Sequence, residues 1–366
     1  MTTTDQPGQR PLAEPLDEQR LMSFVLRAVD EVGATLNAAL VVLGDKLGWY
    51  EALAERGPMT AEALADAAGT ALPYTREWLN AQAAGAFVDY DAATGRYTLP
   101  PEHAVALTDA DSPAYLPGLF QIALGTVADS QHLVEVVRRG GGVGWPEHSS
   151  DVHEGCERFF RPSYRAHLVD SWLPAVGVVD RLRAGAAVAD VGCGHGASTI
   201  LMATAFPASR FVGSDPHAPS IDVARRKAEE AGVADRIRFE VADASAFSGT
   251  GFDLVATFDS LHDMGDPVGA ARHVRSALAD DGVWMIVEPM AGDRLEDNLT
   301  PVGRAYYGFS TLLCTPASLS QPVGLALGTQ AGPARIRAVV EQAGFGSPRS
   351  AAETPFHRVM EVRVAV

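Results

Sequence analysis

The sequence predicts an α/β protein: a doubly wound, mostly parallel sheet of seven strands, preceded by a smaller and mostly helical domain. In the second half of the chain, short apolar segments alternate with amphipathic helical segments, which is the pattern of a parallel sheet. One junction between such segments is rich in glycine. Residues 60–99 follow a different pattern of two short helices and a hairpin. A length of 366 residues is sufficient for two domains with a large core.

Composition narrows the class of protein. The formal net charge of −17 disfavours non-specific binding to nucleic acid or to anionic lipid. Three cysteines that lie far apart in the chain indicate a reducing compartment without a disulfide framework. No apolar run approaches the length of a membrane span, and the polar N-terminus lacks a signal core. We therefore expect a soluble, cytoplasmic protein that binds neither nucleic acid nor membrane.

Changes in pattern divide the chain into four parts. Residues 1–14 are polar and contain proline, which predicts a disordered tail. We expect residues 15–105 to form a winged-helix and dimerisation domain and residues 106–183 a helical connector. Residues 184–366 are expected to form the sheet domain.

A long apolar stripe begins the front domain. Helical spacing places Leu21, Phe24 and Val25 on one face, and Leu36 and Leu40 continue the stripe. An apolar stripe of this length is rarely left open to water. It predicts a packed core or a dimer surface, and we expect a homodimer.

Residues 60–99 predict a winged helix. Thr60 is a favourable cap for a helix over residues 61–68, a second helix follows at 74–84, and a hairpin ends the segment. Such modules often bind DNA. However, residues 1–100 contain seven Lys and Arg against fourteen Asp and Glu, a net charge of −7, and Arg76 is the one basic residue of the second helix. We therefore expect a dimerisation and pocket-closing module.

The glycine-rich junction predicts a nucleotide site. The apolar segment ending at Val191 suits a buried strand, Gly192, Gly194 and Gly196 suit a tight turn, and a helix can begin at Ala197. Glycine allows close approach of a ligand, and the free N–H groups of a helix N-terminus attract it. Asp215 ends the next apolar segment, where a carboxylate can bind ribose hydroxyls.

Three features favour S-adenosylmethionine over a dinucleotide. Asp190 lies two residues before the first glycine, and its carboxylate would suit a cationic amino acid and oppose a pyrophosphate. Asp243, followed by Ala244, ends a third segment and is placed to accept from an adenine amino group. The predicted strand, glycine turn and helix also lie at the middle of the chain. The stretch 185–366 resembles class I S-adenosylmethionine-dependent methyltransferases, with a Rossmann-like sheet. The predicted strands are 187–191, 210–214, 237–241, 254–258, 283–287 and 356–364.

His262 is the candidate catalytic residue. Ligands of doubly wound sheets bind where the strand order reverses, here at the strands ending at Val191 and near Phe258. The second strand leads directly into His262, and a neutral imidazole can accept a proton. The segment 261–267 resembles the Leu-His-Asp-Trp-x-Asp segment of small-molecule O-methyltransferases of the plant and polyketide type. That resemblance implies that His262 is the general base and Glu288 its orienting partner.

Two departures from that family leave the reaction open. Phe258, expected at the cofactor, stands where the family often has lysine, and Met264 replaces tryptophan. A C- or N-methyltransferase on the same scaffold is one alternative, and a methyl-donor-binding transcriptional regulator is another. The chain is most similar to actinobacterial two-domain methyltransferases with a winged-helix N-terminus. Members of the O-methyltransferase family are homodimers.

Acceptor contacts are expected from three regions: the connector, the turn at His262 and residues 289–327. Residues 289–327 predict a helix pair that caps the pocket. The candidate acceptor residues are Phe160, Tyr164, Asp263, Met264, Tyr306 and Phe309. No second histidine occurs between Arg294 and Phe356, which argues against a His–His metal site. We expect a small-molecule acceptor and no metal.

Overall fold

A computed structural model describes residues 16–365, and the predicted tail, 1–14, lies outside them. The strands are β1 (Asp89–Asp91), β2 (Arg96–Thr98), β3 (Ala187–Val191), β4 (Arg210–Asp215), β5 (Ile237–Val241), β6 (Phe252–Phe258), β7 (Leu278–Pro289), β8 (Arg349–Glu353) and β9 (His357–Val362). The helices are α1 (Glu18–Lys46), α2 (Trp49–Arg56), α3 (Ala61–Ala68), α4 (Leu72–Ala84), α5 (Pro101–Thr108), α6 (Pro117–Asp129), α7 (Leu133–Arg139), α8 (Ser150–His167), α9 (Leu173–Ala175), α10 (Val179–Ala184), α11 (Ala197–Ala205), α12 (Ala218–Glu230), α13 (Pro267–Ala277), α14 (Pro301–Phe309), α15 (Thr315–Leu319) and α16 (Gly332–Gln342).

The front domain has the predicted winged-helix order. The side chain of Thr60 caps α3 by accepting from the N–H of Ala63, and β1 pairs with β2 in an antiparallel hairpin. Trp49 and Trp78 pack at the centre of its core, with ring centroids 4.7 Å apart. This arrangement confirms the predicted helix–turn–helix and hairpin.

Two helices of the connector pack closely because glycine lies at the contact. Gly118 on α6 faces the backbone of α8, and a Cβ at this position would lie 2.5 Å from the N of Phe159. Gly155 on α8 faces Ile122 in the same way. Larger residues at these two positions would push the two helices apart.

The sheet confirms the predicted fold class. Its strand order is β5-β4-β3-β6-β7-β9-β8. Strands β3 to β7 are parallel, and β9 and β8 complete the edge in antiparallel orientation. The order reverses between β3 and β6, so the ends of these two strands at Val191 and Phe258 flank the switch point, as predicted.

Two segments differ from the sequence-based expectation. Strand β8 was missed, because Arg349–Glu353 has few β-forming residues and lies at the edge of the sheet. The helix pair expected within 289–327 is instead one helical run, in which the π-helical turn Ser310–Cys314 joins α14 to α15. Pro316, in the first turn of α15, does not separate the two helices, and the backbone continues through it.

A guanidinium ties the front domain to the connector. Arg158 on α8 donates to both carboxylate oxygens of Asp45 on α1, at 2.9 and 2.8 Å, and to the hydroxyl of Tyr115 at 2.6 Å. It also donates to Gln121 on α6. Asp45 is largely buried, with a side chain 9% exposed, so this charge-assisted cluster lies within the junction of the two parts.

One face of α1 remains uncovered in the single chain. Its exposed apolar residues are Leu21, Met22, Phe24, Val25, Leu26, Val29, Val32 and Leu36. Across the described part of the chain, no helix combines the length and apolarity that a bilayer span requires.

Candidate active site

The glycine turn is shaped for close approach of a ligand. Gly192, Gly194 and Gly196 all have positive φ, at 78°, 52° and 78°. A Cβ on Gly192 would lie 2.7 Å from the side chain of Ser260, which follows β6. Glycine at this position therefore lets β3 and β6 end side by side and keeps the space above them open.

A cavity of about 380 Å³ lies above the switch point. Its wall includes the glycine turn, the ends of β4 and β6, the turn after β6, and side chains from α8. Ligand sites of doubly wound sheets occur at this position. The cavity therefore joins the predicted cofactor region to the predicted catalytic region.

Most of the predicted cofactor residues lie in this wall. They are Gly192, Gly194, Asp215, Asp243, Ala244 and Phe258. Asp215 accepts from the backbone N–H of Gly194 at 2.9 Å and from that of His217 at 2.8 Å. Its carboxylate thus holds the glycine turn in place and retains free lone pairs for hydroxyl donors.

Asp190 and Gly196 lie behind the wall. Asp190 is buried, and its Oδ2 accepts from the hydroxyls of Ser198 and Thr199, both at 2.6 Å. Burial raises the pKa of Asp190 to about 6, against the opposing effect of these two hydroxyls. Gly196 packs against the ring of Phe239. In this structure both residues support the start of α11 and are not part of the cavity surface.

Three side chains form a chain that runs from the cavity into the core. Nδ1 of His262 lies 2.6 Å from Oε2 of Glu288, and its Nε2 lies 3.3 Å from Oδ1 of Asp263. The other oxygen of Glu288 accepts from the backbone N–H of Leu261 at 3.0 Å. Of the three, Asp263 lines the cavity, whereas His262 and Glu288 are buried behind it.

This geometry favours a protonated His262. An ionised carboxylate accepts hydrogen bonds and cannot donate them, and one faces each ring nitrogen. Burial lowers the pKa of His262, but the charges of Asp263 and Glu288 outweigh it and place the pKa well above its usual value. The thiol of Cys314 lies beside this chain, since its Sγ and ligand atoms of His262 and Asp263 are within 4.8 Å of one another. The expectation that the protein binds no metal stays a prediction.

The predicted acceptor residues divide into two groups. Phe160, Tyr164, Asp263 and Met264 line the cavity. Tyr306 is buried and donates to the backbone carbonyl of Phe356 at 3.1 Å, and Phe309 packs in a separate apolar cluster with Phe159 and Ile122. Neither Tyr306 nor Phe309 is part of the cavity wall, because Tyr306 points toward Phe356 and Phe309 packs against the connector.

Sequence reasoning missed Asp259. It follows β6 directly and has φ of 49°, a left-handed conformation that Asp tolerates better than most residues. Its Oδ2 accepts from the hydroxyl of Tyr164 at 2.9 Å, and Nε2 of His357 lies 3.3 Å from the same oxygen. The available signal was its position as the first polar residue after a strand at the switch point.

Several cavity residues from α8 and the glycine turn were also missed. They are His153, Cys156, Glu157 and His195, with Trp145 just before α8. The ring of His153 stacks on that of His217, with centroids 4.3 Å apart. Burial lowers the pKa of His153 to about 4, so the ring is neutral at pH 7. His195 lies within the glycine turn itself, whereas no local motif marks the residues of α8, because they meet the cavity only through tertiary packing.

Comparison with known proteins identifies two domain families in the chain. Residues 35–109 match the Rv2258c-like winged HTH domain family, and residues 182–330 match a methyltransferase domain family. The 27-O-demethylrifamycin SV methyltransferase of Amycolatopsis mediterranei is 36% identical over 103 residues, which are 28% of this chain and 38% of that protein. The release factor glutamine methyltransferase of Chlorobaculum tepidum is 41% identical over 75 residues, 19% of this chain and 26% of that protein. The chain thus spans less than half the length of these relatives.

Solved structures share the fold over nearly the whole chain. Human N-acetylserotonin methyltransferase in complex with SAM has a TM-score of 0.68 at 15% identity, covering 97% of this chain and 99% of that one. The mitomycin 7-O-methyltransferase MmcR has a TM-score of 0.66 at 21% identity, covering 95% and 100%. The chain therefore contains a methyltransferase domain, and its fold is the one found in these two methyltransferases. A winged HTH domain precedes this methyltransferase domain in the chain.

Proposed function

We propose that this protein transfers a methyl group from S-adenosylmethionine to a hydroxyl of a small, aromatic or polyketide-like molecule. The observation that carries the proposal is the single cavity that joins the glycine turn to Asp263 and the two buried side chains behind it. Judged by their names, the relatives described above methylate either small molecules or a protein factor. The apolar and aromatic part of the wall, with Trp145, Phe160 and Met264, suits the first kind of acceptor.

The residues at the glycine turn fit the cofactor. Asp215 has lone pairs free for ribose hydroxyls, Asp243 lies beside Ala244 where an adenine would be held, and no glycine of the turn carries a side chain into the space. S-adenosylmethionine, when bound, supplies an electrophilic methyl group on a sulfonium. The chain's own contribution is to hold the acceptor oxygen in line with that methyl group and to exclude water.

The acceptor proton needs a destination, because a phenol of pKa near ~10 is a poor nucleophile until the proton is shared. We propose that the chain of Asp263, His262 and Glu288 receives it. The sequence-based hypothesis makes His262 the general base. Because Asp263 is the member of the three that lines the cavity, we propose that it meets the acceptor. Burial raises the pKa of its carboxyl, which makes it a better base. His262 and Glu288 then act through Asp263.

Two measurements test the proposal. Calorimetry should show S-adenosylhomocysteine binding in the micromolar range, roughly −8 kcal/mol, with no binding of NADH. A panel of neutral dihydroxynaphthalenes with methyl-labelled S-adenosylmethionine should then yield labelled ethers. Asp263→Asn should lower the rate by ~10²–10⁴-fold, and His262→Ala and Glu288→Gln by less, with S-adenosylhomocysteine binding unchanged. Binding of NADH without S-adenosylhomocysteine, or label on carbon or nitrogen, would overturn the corresponding part.

We also propose that the front domain mediates the association of two copies of the chain. The exposed apolar face of α1 is a suitable surface for a second copy of the chain. The regulator alternative lacks the charge that DNA binding requires, since the first hundred residues have a net charge of −7.

A further inference from the structure

The charges around the cavity are strongly one-sided. Among the described residues that line it, the acidic ones are Glu157, Asp215, Asp243, Asp259, Asp263 and Asp266, and none is Lys or Arg. The two lining histidines, His153 and His195, have pKa values lowered by burial. A carboxylate on an acceptor would therefore find only like charge and neutral rings here.

Four of the six acids have partners or solvent. Asp215 accepts from two backbone N–H groups, and Asp266 accepts from the N–H of Gly269 at the start of α13. Glu157 pairs with Lys227 at 2.7 Å, and Asp243 is exposed. These four need no further positive charge from a ligand.

Asp259 is different. Its side chain is only 3% exposed, and it forms part of the cavity wall. Oδ2 has Tyr164 and His357 as neighbours, whereas Oδ1 is buried and accepts no hydrogen bond from the described residues. A buried carboxylate oxygen without a donor costs free energy, so this position favours a ligand that brings one.

Asp263 adds a second oxygen of the same kind. Its Oδ1 is also buried without a hydrogen bond of good geometry, although Nε2 of His262 lies 3.3 Å away. The two acids follow β6 and lie four residues apart, and Asp259 accepts from Tyr164 of α8. In the sheet, β6 lies on the opposite side of β3 from β4 and β5, whose ends carry Asp215 and Asp243 of the proposed cofactor region.

We propose that the acceptor carries a basic nitrogen, bound as an ammonium by Oδ1 of Asp259, and no carboxylate. This inference rests on the proposed methyl transfer and specifies its substrate class: a hydroxylated aromatic amine with the reacting hydroxyl toward Asp263. An ammonium supplies both the N–H donor and the charge that this part of the wall lacks. A neutral hydroxyl supplies only the donor.

The test compares three naphthalene probes of matched shape by calorimetry on the full chain saturated with S-adenosylhomocysteine. The probes are 1-naphthylmethylamine, 1-naphthalenemethanol and 1-naphthoate. Since a charge-assisted hydrogen bond to a buried carboxylate is stronger than a neutral one, the amine should bind roughly ten- to a hundredfold more tightly than the alcohol. The naphthoate should bind more weakly than either.

Asp259→Asn should remove the preference for the amine and leave the affinity for the alcohol within about threefold. Asp266→Asn is the matched control: this residue also lines the cavity, but its carboxylate already accepts from Gly269, and asparagine can cap α13 equally well. It should leave the order of the three probes unchanged. Circular dichroism and the affinity for S-adenosylhomocysteine establish that both variants are folded.

Each contrary result has a distinct meaning. Provided that S-adenosylhomocysteine still binds, any one of three results would overturn the inference. They are naphthoate binding as tightly as the amine, equal effects of the two substitutions, and no binding of any probe. A tenfold loss of S-adenosylhomocysteine affinity in Asp259→Asn, with probe preference retained, would assign Asp259 to the cofactor's own ammonium and also overturn it. Failure of the wild type to bind S-adenosylhomocysteine would instead refute the proposed function.

Discussion

Replacing Glu288 with Gln keeps the shape of the side chain behind the cavity and removes its charge. In the wild type, the 2.6 Å contact with Nδ1 of His262 is a hydrogen bond between two charged groups, and such bonds contribute about 1.5–3 kcal/mol. Because one unit of pKa corresponds to 1.36 kcal/mol, the substitution should lower the pKa of His262 by roughly one to two units.

The free energy of unfolding of Glu288→Gln should also decrease. A histidine whose pKa is raised in the folded state stabilises the fold below its unfolded pKa of about 6.5 and loses that contribution as pH rises through the folded pKa. The free energy of unfolding of Glu288→Gln should therefore be lower than that of the wild type by about 1.5–3 kcal/mol at pH 6. The difference should shrink toward alkaline pH.

The assay is nitrogen-15 NMR of labelled histidines, with the His262 signals assigned from the spectrum of His262→Gln. The wild type should show both ring nitrogens of His262 protonated at pH 7.5, and Glu288→Gln should titrate at lower pH. Urea unfolding at pH 6 and pH 9 gives the accompanying free energies. A neutral His262 in the wild type at pH 7.5, or an unchanged titration in Glu288→Gln, would refute this account of the buried chain.

Three further outcomes are expected. Asp215→Ala should weaken S-adenosylhomocysteine binding by about tenfold or more in calorimetry, because a charged acceptor and the tie to Gly194 are lost; Asp222→Ala, on the exposed surface of α12, is the control. Light scattering should give twice the chain mass of 38.6 kDa, and Phe24→Glu should yield the monomer while Val137→Glu on exposed α7 does not. A gel shift with genomic fragments at physiological salt should show no retained band below about micromolar protein, and a sequence-specific band there would favour the regulator.

How much the sequence predicts depends on how local the signal is. Strand β3, the glycine turn and the start of α11 follow from adjacent residues, and their bounds agree with the structure. The contact between His262 and Glu288 followed from strand order together with a family resemblance. Asp259 was not foreseen, because its hydroxyl partner, Tyr164, lies 95 residues earlier in the chain.

The same dependence on tertiary packing explains why the sequence predicted Tyr306 and Phe309 at the acceptor pocket. For an aromatic residue on a segment that is expected to cover a pocket, the sequence does not indicate whether the side chain points into the pocket or away from it. The π-helical turn after Phe309 shifts the register of the helical run, and Tyr306 points to the carbonyl of Phe356. Strand β8 gave too weak a signal because an edge strand need not be apolar on both faces.

The Arg158 cluster has a consequence for protein engineering. Two separate domain families match this chain, which invites chimeras that exchange the front domain between relatives. Asp45 lies on one side of such a graft, and Arg158, Tyr115 and Gln121 lie on the other. A graft that omits Asp45 would leave a guanidinium in the junction without its carboxylate. Functional chimeras therefore need the acid and the arginine to be transferred as one unit, whatever the similarity of the remaining surface.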